Sequence, residues 1–430
     1  MRISFKRPKL TTSVSFLMGA FLIVYIPVLW KIKVVDLFVL LCFFCLASRF
    51  SRIGNASVFL LITYLFLLLA TIFAQFRPDA PTGILETVLS SGIAFAAFFA
   101  AERMHPQELK RFLEGYLISV TLITLIAVLQ FFGYLTGIFP DYRAAGGYIG
   151  ILGTMPDPNR YALTLSCAVA IVLARLWTYN NKLFLLGVYL FFILAVAMTG
   201  SRAGIAFSVL LTGIVLLYMN YLSAYPRPYL RLTFHRNLRF VLVGFGAVAS
   251  AYIGIQVLLP SSELGNLVGV VEKFQERGLD YQDDPRYEKL LLGFQLFSER
   301  PLFGYGFNGY IHHSESGDPH NSYINILVNG GLLAFFTLLI FLVHVGIKTH
   351  RLAFKSAYQK DILWVARSRL TLFYIIAMFF FTNQLHFLVV IYAFLGVLAN
   401  PSFSHVQAKP EAGRAPKALR ESGLARPSAG

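Results

Sequence analysis

Long apolar runs follow one another through the first 400 residues, and cations are kept out of their middles. Read as membrane spans, the runs fall at Val14–Trp30, Val34–Ser48, Ala56–Ala74, Gly83–Ala100, Phe112–Gly133, Tyr161–Trp177, Leu183–Met198, Ala203–Met219, Phe240–Leu259, Tyr323–Ile347, Leu370–Thr382 and Leu385–Ala399. Each of the 37 lysines and arginines then lands in a loop, in a tail or at the end of a run. Alternate loops sort into a basic set, holding 26 of the 37, and a poor set. Cations are retained on the cytoplasmic face of a membrane, so both termini are expected there. The pattern predicts an all-α polytopic membrane protein of about twelve spans. Three runs are short enough that eleven remain an alternative.

Composition agrees with that reading. The chain is 57% hydrophobic and only 13% charged, where a soluble domain carries roughly 25% charged residues. The net charge of +16 is therefore a topological signal beside an anionic inner leaflet, and no nucleic-acid partner is needed to explain it. The basic start Met1–Leu10 and the run after it resemble a signal peptide. No small-residue cleavage site follows, so an uncleaved first span is expected. Cys42, Cys45 and Cys167 lie inside apolar runs and imply no disulfide framework.

Three regions are expected: a cytoplasmic N-terminus (1–13), a polytopic domain (14–400) and a disordered cytoplasmic tail (401–430) rich in Ala, Pro, Lys and Arg. Two loops stand out on the outer, cation-poor side, at 137–160 and 260–321. The second is long for a connector. It carries two amphipathic stretches, Leu264–Phe274 and Tyr287–Phe297, expected as helices on the outer membrane surface. Asp284 is placed to cap the second, with Pro285 at its first position.

The outer side holds Arg77, Arg143, Arg160, Arg202, Lys273, Arg277, Arg286, Lys289 and Arg300, with Lys31 and Lys33. Arginine suits a two-point grip on phosphate. Arg202 lies in the short turn Thr199-Gly200-Ser201-Arg202 between two spans, at headgroup level; contact with lipid phosphate alone would also explain it. The long loop carries ten carboxylates against five cations. Any anion site must therefore be local, built by a few converging arginines. His320 ends the loop in Pro319-His320-Asn321-Ser322-Tyr323, where a group that exchanges protons near neutral pH sits close to the membrane. A plain surface histidine at a helix entrance fits as well. The spacing of His312, His313, Asp318 and His320 matches no established metal pattern.

Together these motifs resemble the O-antigen ligase and polymerase superfamily. The resemblance rests on Gly304-Tyr305-Gly306, His320-Asn321-Ser322-Tyr323, Gly330-Gly331, Ser201-Arg202-Ala203, Pro158-Asn159-Arg160-Tyr161 and Arg286. It covers mainly Gly153 to Gly331. It implies a metal-independent glycosyltransferase without cofactor, acting on the periplasmic face of a bacterial inner membrane. The implied donor is a glycan on undecaprenyl pyrophosphate, and the acceptor a glycan or lipid-linked hydroxyl such as lipid A–core. His320, Arg202 and Arg286 are then the expected catalytic residues. Arg160, Asn159, Asn321, Arg143 and Tyr323 are expected to bind substrate. A polymerase joining lipid-linked repeats has the same donor grip and differs in its acceptor. A lipid or polysaccharide transporter is the reading from another class, but no charge at mid-membrane supports it.

Overall fold

A computed structural model describes residues 8–24, 27–29, 32–46, 55–73, 81–135, 138, 151–155, 157–179, 182–223, 285–307, 309–314, 319, 321–354, 360–381 and 389–401. The span expected at 240–259, the amphipathic stretch at 264–274, Arg143, His320, the side chain of Arg286 and the tail after 401 lie outside the described residues.

The described chain is a bundle of helices: α1 Pro8–Phe21, α2 Val34–Leu46, α3 Asn55–Phe73, α4 Pro81–Glu102, α5 Pro106–Phe131, α6 Pro158–Thr178, α7 Lys182–Met198, α8 Arg202–Ser223, α9 Pro285–Glu299, α10 Gly309–His313, α11 Ser322–Ala353, α12 Lys360–Phe379 and α13 Val389–Ala399. Five of them, α5, α6, α8, α11 and α12, hold segments long and apolar enough to cross a membrane. The described chain is helical, as the all-α reading expects, apart from a short two-stranded antiparallel ribbon, Pro27–Leu29 with Ile32–Lys33. The ribbon takes up the end of the first expected span, because α1 stops at Phe21.

Helix α6 is the axis of the bundle. Every residue from Tyr161 to Ala174 is buried, as expected of a helix that is apolar all round. It packs on α7, α8 and α12, and Thr371 of α12 donates to the Ala170 carbonyl at 2.8 Å. Lipid tails supply no hydrophobic drive between helices, so close backbone approach and interhelical hydrogen bonds hold such a bundle. The crossing of α1 and α5 shows the first. A Cβ on Gly19 would lie 2.0 Å from the Phe112 carbonyl oxygen, and one on Gly115 would lie 2.2 Å from that of Phe16.

Two expectations are corrected. The run expected to begin at Leu370 belongs to α12, which starts at Lys360. Arg367 and Arg369, expected in a loop, therefore lie inside a helix. Arg369 is fully buried and donates to the carbonyls of Leu398 and Asn400. Lys348, within α11, donates to that of Ala399 at 3.2 Å. The unpaired carbonyls that end α13 carry partial negative charge, and these cations cap them.

The second correction is larger. Tyr323–Ile347, read as one straight span, is two helices. Gly331 has φ 65° and ψ −168°, which breaks α11. The rings of Tyr323 and Phe335 are 6.4 Å apart, whereas twelve residues of straight helix would separate them by about 18 Å along the axis. Residues 322–330 thus turn sharply away from the axis of residues 332–353.

Candidate functional site at three helix starts

The start of α6 is built by its sequence. Asp157 accepts from the backbone N–H groups of Asn159 (2.6 Å) and Arg160 (3.2 Å), and Pro158 occupies the first helical position. The start of α8 is built similarly. Gly200, at φ 68°, ends the preceding helix in the left-handed region that glycine tolerates best. Ser201 then caps α8, its Oγ accepting from the Gly204 N–H at 3.2 Å.

The two starts are joined. The Ser201 hydroxyl donates to Oδ1 of Asn159 at 2.9 Å. The strand of chain before α6 is tied to the same turn, with Ile151 N–H donating to the Met198 carbonyl at 3.2 Å. Arg160 and Arg202 therefore stand in the first turns of two docked helices, both half-buried. Among the described residues neither guanidinium has a carboxylate partner. The Asp157 carboxylate already takes two N–H groups at the start of α6 and Ser201 one at the start of α8, so what favours an anion here is the pair of guanidinium groups, which have no carboxylate partner among the described residues.

A third helix start opens at the same end of the bundle. Asn321 caps α11, its Oδ1 accepting from the Ile324 N–H at 3.1 Å. The Ser322 N–H donates to the Phe380 carbonyl at 2.8 Å, just past α12. Tyr323 packs its ring against those of Phe380 and Phe381, at 5.4 and 4.6 Å, and its hydroxyl donates to the Ala377 carbonyl. From α8, Phe207 meets Phe379 with ring centroids 5.2 Å apart. The end of α12 thus carries α8 on one side and α11 on the other. Asn159, Arg160, Arg202, Asn321 and Tyr323 share one end of the molecule. The Tyr323 hydroxyl is already engaged with backbone, which makes it a packing residue in this conformation.

The break in α11 is held by the turn after α9. Tyr305 and Gly306 donate their N–H groups to the carbonyls of Val328 (2.9 Å) and Asn329 (2.7 Å), and the Leu332 N–H donates to the Pro301 carbonyl at 2.8 Å. Every backbone group that the break exposes in an apolar setting must find such a partner. Side chains complete the lock. Asn329 Oδ1 accepts from the Tyr310 N–H at 3.0 Å, and its amide donates to Asn325. Tyr305 donates its hydroxyl to Glu299 and lies under the Arg300 guanidinium. His313 binds the Gly309 carbonyl through Nδ1 at 2.7 Å and packs on Tyr305.

Sequence reading had Ser201 only as the neighbour of Arg202, and missed Asn325, Asn329 and Tyr310 as parts of this framework. A four-residue spacing of Asn321, Asn325 and Asn329 was the available signal: it sets three amides on one helical face.

Residues 187–339 match the family model of the O-antigen ligase. The match holds the arginine turn, α9, α10 and the α11 break, with Asn159 and Arg160 just upstream. The match covers about a third of the chain, and over that segment the chain is similar to the O-antigen ligase family. A search of curated proteins gives no match.

Proposed function

We propose that this protein is a ligase-type glycosyltransferase that moves a glycan from undecaprenyl pyrophosphate to an acceptor hydroxyl on the outer face of the membrane. The hydrogen bond between Ser201 and Asn159, which docks two arginine-bearing helix starts, is the observation that carries the reading.

In this reading Arg160 and Arg202 hold the diphosphate, with Arg143 contributing from its loop and Arg286 from the first turn of α9. The acceptor oxygen attacks the anomeric carbon, and the bond from that carbon to the diphosphate oxygen breaks. The leaving oxygen takes the electron pair. Fixed guanidinium groups meet charge that grows as the bond breaks, which lowers the barrier more than they lower the energy of the bound donor. His320 accepts the acceptor's proton. Asn321 fixes the start of the helix that follows His320, and Asn159 fixes the turn that precedes Arg202. Arginines balancing the diphosphate make a divalent ion unnecessary.

Purified protein with a lipid-linked glycan donor tests this in the presence of EDTA. Undiminished transfer supports charge stabilisation by arginine; complete loss overturns it. A deletion strain separates ligase from polymerase. Accumulated lipid-linked long chains support the ligase, and single-repeat caps the polymerase.

A further inference from the structure

Helix α9 has two apolar faces and only one is covered by protein. Leu290, Gly293, Leu296 and Phe297 pack toward Tyr310, Ile324 and Val328. Tyr287, Leu291 and Phe294 point elsewhere and are 46, 52 and 54% exposed. They recur at i, i+4 and i+7, so they form one stripe. The following turn adds Leu302 and Phe303, 57 and 43% exposed. The sequence pattern had placed Tyr287, Leu290, Leu291, Phe294 and Phe297 on a single face; the structure divides them between protein and the outside.

Something apolar covers that stripe, because exposed patches of large side chains mark interaction sites. Its position says what. Residues 332–353 alone make a helix of about 33 Å, enough to cross about 30 Å of hydrocarbon. Gly331 therefore lies at the rim of the bilayer, and the Leu332 N–H is bonded to Pro301 at the same level. Leu302 and Phe303 enter that rim beside the break. Below them, Phe336, Leu339, Ile340 and Val343 of α11 are exposed as a lipid-facing surface. The exposed apolar residues of α9 and of the 301–303 turn thus lie next to the break that begins this exposed apolar helix. Exposed Arg300, beside Leu302, suits the phosphates of the headgroups.

We infer that α9 and the 301–303 turn are immersed in the outer leaflet, with the Tyr287–Leu291–Phe294 stripe in contact with lipid chains. The helix is then an interfacial anchor. It sets the depth of the α11 break and of the helix start that Asn321 caps. This inference needs no assumption about glycan transfer.

Spin labels in lipid nanodiscs test it. Cys45 is replaced by Ala, and single cysteines are placed by Phe294→Cys and, as controls, Glu288→Cys on the polar face of α9 and Val343→Cys on α11. Collision with oxygen reports lipid, and collision with a water-soluble nickel chelate reports solvent. The label at 294 is expected to match that at 343, with an oxygen-to-nickel ratio several-fold above that at 288. Nickel access at 294 equal to that at 288 overturns the inference in favour of solvent. A label at 294 closed to both reagents overturns it in favour of protein, either residues 264–274 of this chain or a second copy. Should Phe294→Cys fail to fold, Leu291→Trp with brominated lipids reads the same surface: quenching supports immersion and its absence refutes it.

Discussion

Ser201, the cap of α8, donates its hydroxyl to Asn159 in the first turn of α6, at 2.9 Å across 42 residues of chain. The same oxygen accepts from the Gly204 N–H. One hydroxyl therefore both starts a helix and fixes that start against the central helix of the bundle.

Ser201→Ala removes both bonds at once. Loss of the cap costs about 1 kcal/mol, and the polar group left on Asn159 adds to it. Thermal unfolding in detergent should show the loss. Glycan transfer should fall further than stability does, because Arg202 is the next residue. Ser201→Thr keeps the hydroxyl and should recover most of both.

Arg202→Lys keeps the charge and loses the planar two-point grip. Transfer should drop by about 10- to 100-fold in kcat/KM, or about 1.4–2.7 kcal/mol. Unfolding should barely move, since the guanidinium is half-buried and has no carboxylate partner among the described residues. An equal loss of folded protein in the Lys variant would reassign Arg202 to structure.

Gly331→Ala places a methyl group 2.2 Å from the Leu302 carbonyl oxygen, at φ 65°. The turn cannot give way without breaking its bonds to Val328 and Asn329. Destabilisation of at least about 1–3 kcal/mol is expected. Gly213→Ala is the control. Nothing lies within 4 Å of its Cβ, and alanine in a helix interior is favoured over glycine by about 1 kcal/mol. Paired melting curves should move in opposite directions.

Asn329→Ala strips the Tyr310 N–H of its acceptor inside the fold and frees Asn325. A buried donor left unpaired costs about 1–3 kcal/mol. Residues 309–313 should become open to protease first, ahead of the membrane helices. Asn329→Asp retains the acceptor and should protect the segment better.

Much of the fold was legible because apolar runs and cation-poor middles are local facts. The start of α9 was legible too, with Pro285 at its first helical position. The break at Gly331 was not. Gly330-Gly331 sits in an otherwise apolar stretch, and hydropathy does not report the direction of a helix. Arg369 was misplaced for a related reason. A buried arginine is tolerable only where acceptors await it, and its acceptors lie at Leu398 and Asn400.

The chain by itself determined that the protein is built from apolar helices and where α9 starts, because those follow from spacing and residue chemistry within a few neighbours. Only the tertiary structure decided that α11 breaks at Gly331. Carbonyls freed at Val328 and Asn329 are satisfied by N–H groups of Tyr305 and Gly306, more than twenty residues away in the chain. The drive to satisfy buried backbone groups acts across the whole fold.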